Sequence, residues 1–205
     1  MARSNTIYQF RVTLLEIEPP IWRRIQVPAD YSFWDIHVAI QDSMGWLDYH
    51  LHEFRLKKPR GHKVIEIGIP DTETDRNILP GWEVPISTYF VEPGVRADYD
   101  YDFGDGWYHE VLLEGILLKD NSVKYPICVA GECACPPEDC GGIGGYERLL
   151  EVLATPHTEE YKDMAAWLKN HAKNYFPYRP EYFDPSTVRF LNPMKRWKIA
   201  FGNHA

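Results

Sequence analysis

Ala97-Asp98-Tyr99-Asp100-Tyr101-Asp102-Phe103-Gly104-Asp105-Gly106-Trp107-Tyr108-His109-Glu110-Val111 is the stretch whose reading decides the fold. Side chains alternate faces along a strand, so Asp98, Asp100 and Asp102 fall on one side and Tyr99, Tyr101 and Phe103 on the other. Gly104 to Gly106 supplies a turn, and Asp105-Gly106 is a strong hairpin signal. A second strand then runs from Trp107 to about Leu117. The aromatic face can bury. The acidic face, with His109 near it, is the densest cluster of reactive groups in the chain.

Outward from this hairpin, the first half reads as strands. Ile7 to Glu16 alternates, with Tyr8, Phe10, Val12 and Leu14 on one face. Glu18-Pro19-Pro20 breaks it, and Ile21 to Val27 is a second strand closed by Pro28. Ser32 reads as an N-cap, with Asp35 in the capping-box position. Phe33, Ile36, Ile40 and Met44 follow at helical spacing until Gly45 ends the helix. His50 to Leu56 and Lys63 to Ile69 are two more strands. Pro70 to Pro85 reads as a polar loop and Ile86 to Val91 as a short helix.

The second half reads differently. Val123 to Gly145 is rich in Cys, Pro and Gly and predicts little regular structure. Tyr146 to Ala154 and Glu159 to Ala172 have helical apolar faces. The tail from Asn174 is punctuated by proline and predicts one or two short helices. The expectation is an α+β fold: a mainly antiparallel sheet from the N-terminal two-thirds, helices packed on it, and a helical C-terminal third. It is expected to be one domain over 1–205, with a strand-rich body at 6–118, a Cys/Pro/Gly loop at 119–145 and a helical part at 146–205.

Composition narrows the function classes. The chain has 205 residues, 44% hydrophobic and 14% aromatic, with seven Trp, thirteen Tyr and nine Phe to fill a core. Its formal net charge of -8 argues against a generic nucleic-acid-binding surface, which needs clustered Lys and Arg. The basic stretches Arg55 to Arg60 and Lys195 to Lys198 are short and read as solvated loops or helix faces. No apolar run follows the first residues, so no signal peptide is expected. None reaches the roughly eighteen apolar residues of a membrane-spanning helix. A cytoplasmic location is the expectation, and there thiols stay reduced.

Several groups could carry chemistry. Asp98, Asp100, Asp102 and Asp105 resemble the start of a calcium loop, but Phe103 and His109 occupy the places that need Gly and Glu. Asp102-Phe103-Gly104 stands without the other kinase signatures. His50 and His52, two apart, would share a strand face and could hold a metal with His109 as a third ligand. Asp102, Asp105 and His109 could instead serve as acid/base groups, or the aspartates could simply cap the turn. Cys128-x4-Cys133-x-Cys135-x4-Cys140 could form two knuckles around a structural zinc, or hold four spectator thiols. Gly141 to Gly145 lacks the Gly-Lys-Ser/Thr ending of a phosphate loop, so it reads as a bend allowing close backbone packing.

Five blocks in order resemble one family: Ile21-Trp22-Arg23-Arg24, Asp48 to Phe54, Tyr101 to His109, Gly131 through Cys135-Pro136-Pro137-Glu138-Asp139 to Gly142, and Phe183-Asp184-Pro185. The chain resembles the Ri-plasmid ORF-three-like family, whose members are often labelled TnpR-like or insertion-element passenger proteins. The resemblance implies an α+β fold with a mostly antiparallel sheet and no known activity. It also implies that Cys128 and Cys135 recur while other residues usually replace Cys133 and Cys140. The candidate cleft lies inside these blocks: His50, His52, Asp102, Asp105, Trp107, His109, Glu138 and Asp139. Three functions are in play. One is a non-enzymatic binding or accessory protein, associated with mobile elements and taking a protein or nucleic-acid partner. The second is a metal-dependent hydrolase using His50, His52, Asp102, Asp105 and His109. The third is a purely structural role for the blocks.

Overall fold

A computed structural model of the chain describes residues 5–57, 64–70 and 75–202. Eight strands form one sheet: β1 (Thr6–Leu14), β2 (Ile21–Pro28), β3 (His52–Lys57), β4 (Val64–Gly68), β5 (Ile78–Pro80), β6 (Arg96–Tyr101), β7 (Trp107–Leu118) and β8 (Ile127–Glu132). Their order across the sheet is β5-β4-β3-β6-β7-β1-β2-β8. Every pairing is antiparallel except β4 with β5. The helices are α1 (Phe33–Met44), α2 (Gly142–Leu153), α3 (Glu159–Asn170) and α4 (Pro193–Phe201), with 3₁₀ turns at Ile86–Thr88 and Pro185–Thr187. The fold is therefore α+β on a mainly antiparallel sheet. Among the described residues, no helix is long and apolar enough to cross a membrane.

The periodic segments fold as their patterns dictate. Tyr8, Phe10, Val12 and Leu14 of β1 and Ile21, Ile25 and Val27 of β2 all enter one core. Helix α1 covers that face. Ser32 accepts from Asp35 N, and the Asp35 carboxylate accepts from Ser32 N, closing a full capping box. Gly45, at φ 90°, ends the helix in the left-handed conformation that glycine adopts without strain. Phe33, Ile36, Ile40 and Met44 then pack against Phe54, Ile67, Tyr99 and their neighbours.

Several sequence expectations are corrected. Val123 to Gly145 is not irregular throughout, because Ile127–Glu132 adds the edge strand β8 to β2. The polar loop before Pro85 contains β5, paired parallel to β4. The segment from Ile86 forms only a single 3₁₀ turn. Helix α2 starts at Gly142 rather than Tyr146, so the glycine run forms its first turn. The expected strand at Lys63 begins at Val64; Lys63 and residues 58–60 of the first basic stretch lie outside the described residues. Arg196 of the second stretch is not a solvated side chain. It ties α4 to the C-terminal end of α1, reaching Asp42 at 2.9 Å and Asp48 at 3.4 Å.

Candidate functional site

The hairpin of β6 and β7 forms, but its turn is longer than a two-residue one. Tyr101 pairs with Trp107, which leaves 102–106 as the loop. Asp102 takes φ 55°, and its carbonyl accepts from Gly106 N at 2.6 Å. That left-handed step takes the chain out of the strand after Tyr101. Phe103, expected on the aromatic face, is consequently exposed at the turn.

Register decides which groups share a face. His52 faces Tyr101, Phe54 faces Tyr99, Tyr99 faces His109, and Tyr101 faces Trp107. Directly opposed residues point to the same side of a sheet. His52, Trp107 and His109 therefore belong to the aromatic core side, and His109 is not beside the acidic face as its nearness in sequence implied. On the other face, Asp100 is held bidentately by Arg55, at 2.5 and 3.1 Å. Glu53, buried beside it, pairs with Arg76. The acidic face is thus partly an ion-pair ladder.

The core histidines are enclosed. His52 stacks on His37 at a centroid distance of 3.4 Å. Burial, with His37 beside it, holds the His52 imidazole well below its ordinary pKa. His109 packs edge-on against Trp46 at 5.5 Å, and burial lowers its pKa to about 4. His37 was missed by the sequence reading. It bridges the Tyr99 hydroxyl and Asp48, each at 2.8 Å. The available signal was its place on the α1 stripe between Phe33 and Ile40, where a histidine needs polar partners to be buried.

Glu138 is a buried connector. Its carboxylate accepts from the Tyr101 hydroxyl and, at 2.7 Å, from Leu47 N. The neighbouring Pro136 carbonyl accepts from Trp46 Nε1 at 3.0 Å. These bonds dock the Cys-Pro loop onto the end of α1 and the hairpin, and so carry Asp139 to the hairpin rim. Asp139 itself sits at φ 61° and is half exposed.

At that rim three side chains converge. His50 Nε2 lies 2.8 Å from Asp139 Oδ1 and 3.5 Å from Asp102 Oδ2. Potential ligand atoms of His50, Asp102 and Asp139 all fall within 4.8 Å of one another. Among the described residues this is the one such group of three or more His, Cys, Asp or Glu. Asp105 stands beside it, its carboxylate accepting from Gly141 N at 3.1 Å. Of the five residues in the hydrolase reading, only His50 and Asp102 enter this group. His50 precedes β3 at a bend, so it does not share a strand face with His52.

The four cysteines do not converge either. All are free thiols. Cys128 lies within extended β8 and Cys133 just beyond it, so five residues at about 3.3 Å each separate them by roughly 16 Å. A knuckle needs a turn there, and pairing with β2 supplies a strand instead. Cys135 is buried near the Arg23 guanidinium, and burial raises its pKa. Burial pushes the Cys140 thiol to about 12. Among the described residues no three of the sulfur atoms lie within 4.8 Å of one another.

The comparisons agree with this architecture. The chain is similar to "Uncharacterized protein y4hQ" of Sinorhizobium fredii, 31% identical over 163 residues, covering 79% of this chain and 80% of that protein. A solved structure, titled as a protein of unknown function, MM3350, from Methanosarcina mazei Go1, is 42% identical and superposes with a TM-score of 0.79. That match covers 91% of this chain and 99% of the other. The sequence also matches the plasmid pRiA4b ORF-3-like protein family over residues 6–187, a span that holds every candidate site residue. The chain belongs to the plasmid pRiA4b ORF-3-like protein family.

Proposed function

We propose that the protein is a non-enzymatic binding protein whose partner is an acidic segment of another protein. The observation that carries this reading is a groove of about 760 Å³ between the end of α1, the Ala134-Cys135 turn and the segment 173–189. Lys173, Arg179 and Arg189 stand exposed on it. None of the three forms an ion pair among the described residues, although the chain as a whole carries -8. Of the two carboxylates on the groove, Asp42 is committed to Arg196 and Asp184 to capping its own 3₁₀ turn. Tyr182 and Phe183 add rings, and the Arg23 guanidinium lies 3.5 Å from the Phe183 centroid. Unpaired cations beside aromatic anchors are the composition of a recognition surface for anionic ligands. The overall acidity of the chain disfavours a long polyanion, so a short acidic peptide fits better than nucleic acid.

An accessory role alongside mobile elements rests on the family's description as a plasmid reading frame. The test is binding of a fluorescent acidic peptide library and of single-stranded oligonucleotides to the full chain and to Arg179→Glu. Peptide binding that is weakened by charge reversal supports the reading. Binding indifferent to Arg179, preference for the oligonucleotides, or turnover of a hydrolase substrate overturns it.

A further inference from the structure

We propose that His50, Asp102 and Asp139 form a binding site for one divalent first-row transition-metal cation, with zinc held more tightly than manganese. The site is separate from the groove. His50 Nε2 stands 2.8 Å from Asp139 Oδ1 and 3.5 Å from Asp102 Oδ2, and all three ligand atoms lie within 4.8 Å of one another. Neighbouring ligands around one zinc ion, each about 2.1 Å from it, stand roughly 3.0–3.4 Å apart, so small side-chain rotations suffice.

The charge balance calls for a cation. Neither Asp102 nor Asp139 has a Lys or Arg partner among the described residues; histidine is the only basic group each meets. Asp102 is the more telling of the two. Its Oδ1 accepts from Gly104 N at 3.0 Å and Asp105 N at 3.2 Å, which fixes the carboxylate. Its Oδ2 makes no hydrogen bond among the described residues and faces His50, on a side chain only 9% exposed. That oxygen, held in place by the bonds to its sister oxygen, is free to ligate a cation beside His50. His50 is one-third exposed, which leaves solvent a way in.

Nearby groups are excluded or placed by their own bonds. His171 Nε2 stands 4.0 Å from Asp139 Oδ2. Its Nδ1 accepts from Lys173 N at 3.2 Å, so the neutral ring carries its proton on Nε2. At that distance His171 makes no hydrogen bond to Asp139, and it lies outside the group of converging ligand atoms. Asp105, tied by one oxygen to Gly141 N, lies outside the group of converging ligand atoms.

The donor set selects the metal. One imidazole and two carboxylates suit borderline ions better than soft, thiolate-seeking ones, and the Irving–Williams order places zinc above manganese. Three protein ligands leave at least one position to water, so the site is open to an exogenous ligand.

The test is calorimetric titration of chelator-treated full-length protein with zinc and with manganese, and the absorption spectrum of the cobalt-loaded protein. The expected result is one zinc per chain, weaker manganese binding, and cobalt d–d bands without a thiolate charge-transfer band. His50→Ala and Asp139→Asn should each weaken zinc by on the order of tenfold or more, since even outer partners of ligands are worth that much. Both positions are partly exposed, so circular dichroism and melting temperature should match the parent. Absence of stoichiometric zinc binding, or affinity unchanged in both variants, overturns the proposal. So does a charge-transfer band lost in Cys135→Ser, which would put the ion on the cysteines.

Discussion

His109 has no exposed surface, and its Nε2 has no hydrogen-bond partner among the described residues. Burial holds its pKa at about 4 against an ordinary 6.5, and His52 is lowered in the same direction. The unfolded chain therefore takes up protons on these imidazoles before the folded chain does. Their contribution is intact above about pH 6.5 and is lost as pH falls from there toward 4. His109 alone should cost about 2 kcal/mol between pH 7 and pH 5. Asp35 and Asp42, raised by burial, act in the opposite sense, but nearer the carboxylate range. Urea unfolding at stepped pH should show this decline, and the decline should shrink in His109→Gln. An unchanged slope in that variant would assign the effect elsewhere. The chemistry at residue scale was only half legible. Sequence spacing paired His50 with His52, but a strand face exists only where a strand does, and β3 starts at His52.

The elements with a clean period were legible: β1, β2, and α1 with its capping box and terminal glycine. Those without one were not. β5 has three residues, too few to show alternation, and is made by its parallel partner β4. β8 hides in a Cys- and Gly-rich stretch, where Gly131 allows the Phe183 ring within 2.5 Å of where a Cβ would stand. The start of α2 was obscured because glycine is a poor helix former. Its glycines answer to close approach instead. A Cβ on Gly145 would lie 1.8 Å from the Cys140 carbonyl oxygen. Gly145→Ala should therefore push the Cys-Pro loop off α2 and destabilise the fold by about 2–3 kcal/mol, within the usual range for overpacking. Thermal denaturation measures this. Gly144→Ala, where a Cβ would meet nothing within 4 Å, is the control expected to be neutral or stabilising.

Across the whole molecule, the candidate metal site draws one residue from before β3, one from the hairpin turn and one from the Cys-Pro loop. Positions 50, 102 and 139 meet only through the sheet order and the Glu138 contacts, and no local pattern reveals that. The last helix is joined on in the same long-range way. Arg196 is only 11% exposed and binds Asp42, Asp48 and the Leu47 carbonyl, while the Pro193 carbonyl accepts from Trp34 Nε1. A chain ended at residue 191 would take the guanidinium from Asp42 and leave Asp48 with His37 alone, at a cost of about 3–5 kcal/mol. Its melting temperature should fall by roughly 10 °C. A fall of under about 2 °C would mean that α4 contributes little.

The place of β1 has a consequence for biosynthesis. It lies between β2, which follows it at once, and β7, whose pairing joins Thr6 to Leu118. At about 5–20 residues per second, the ribosome delivers that second partner on the order of ten seconds after the first. Through that interval the β1–β2 hairpin presents an open edge able to pair with another nascent copy. A strand interior to the finished sheet spends its first seconds as a rim.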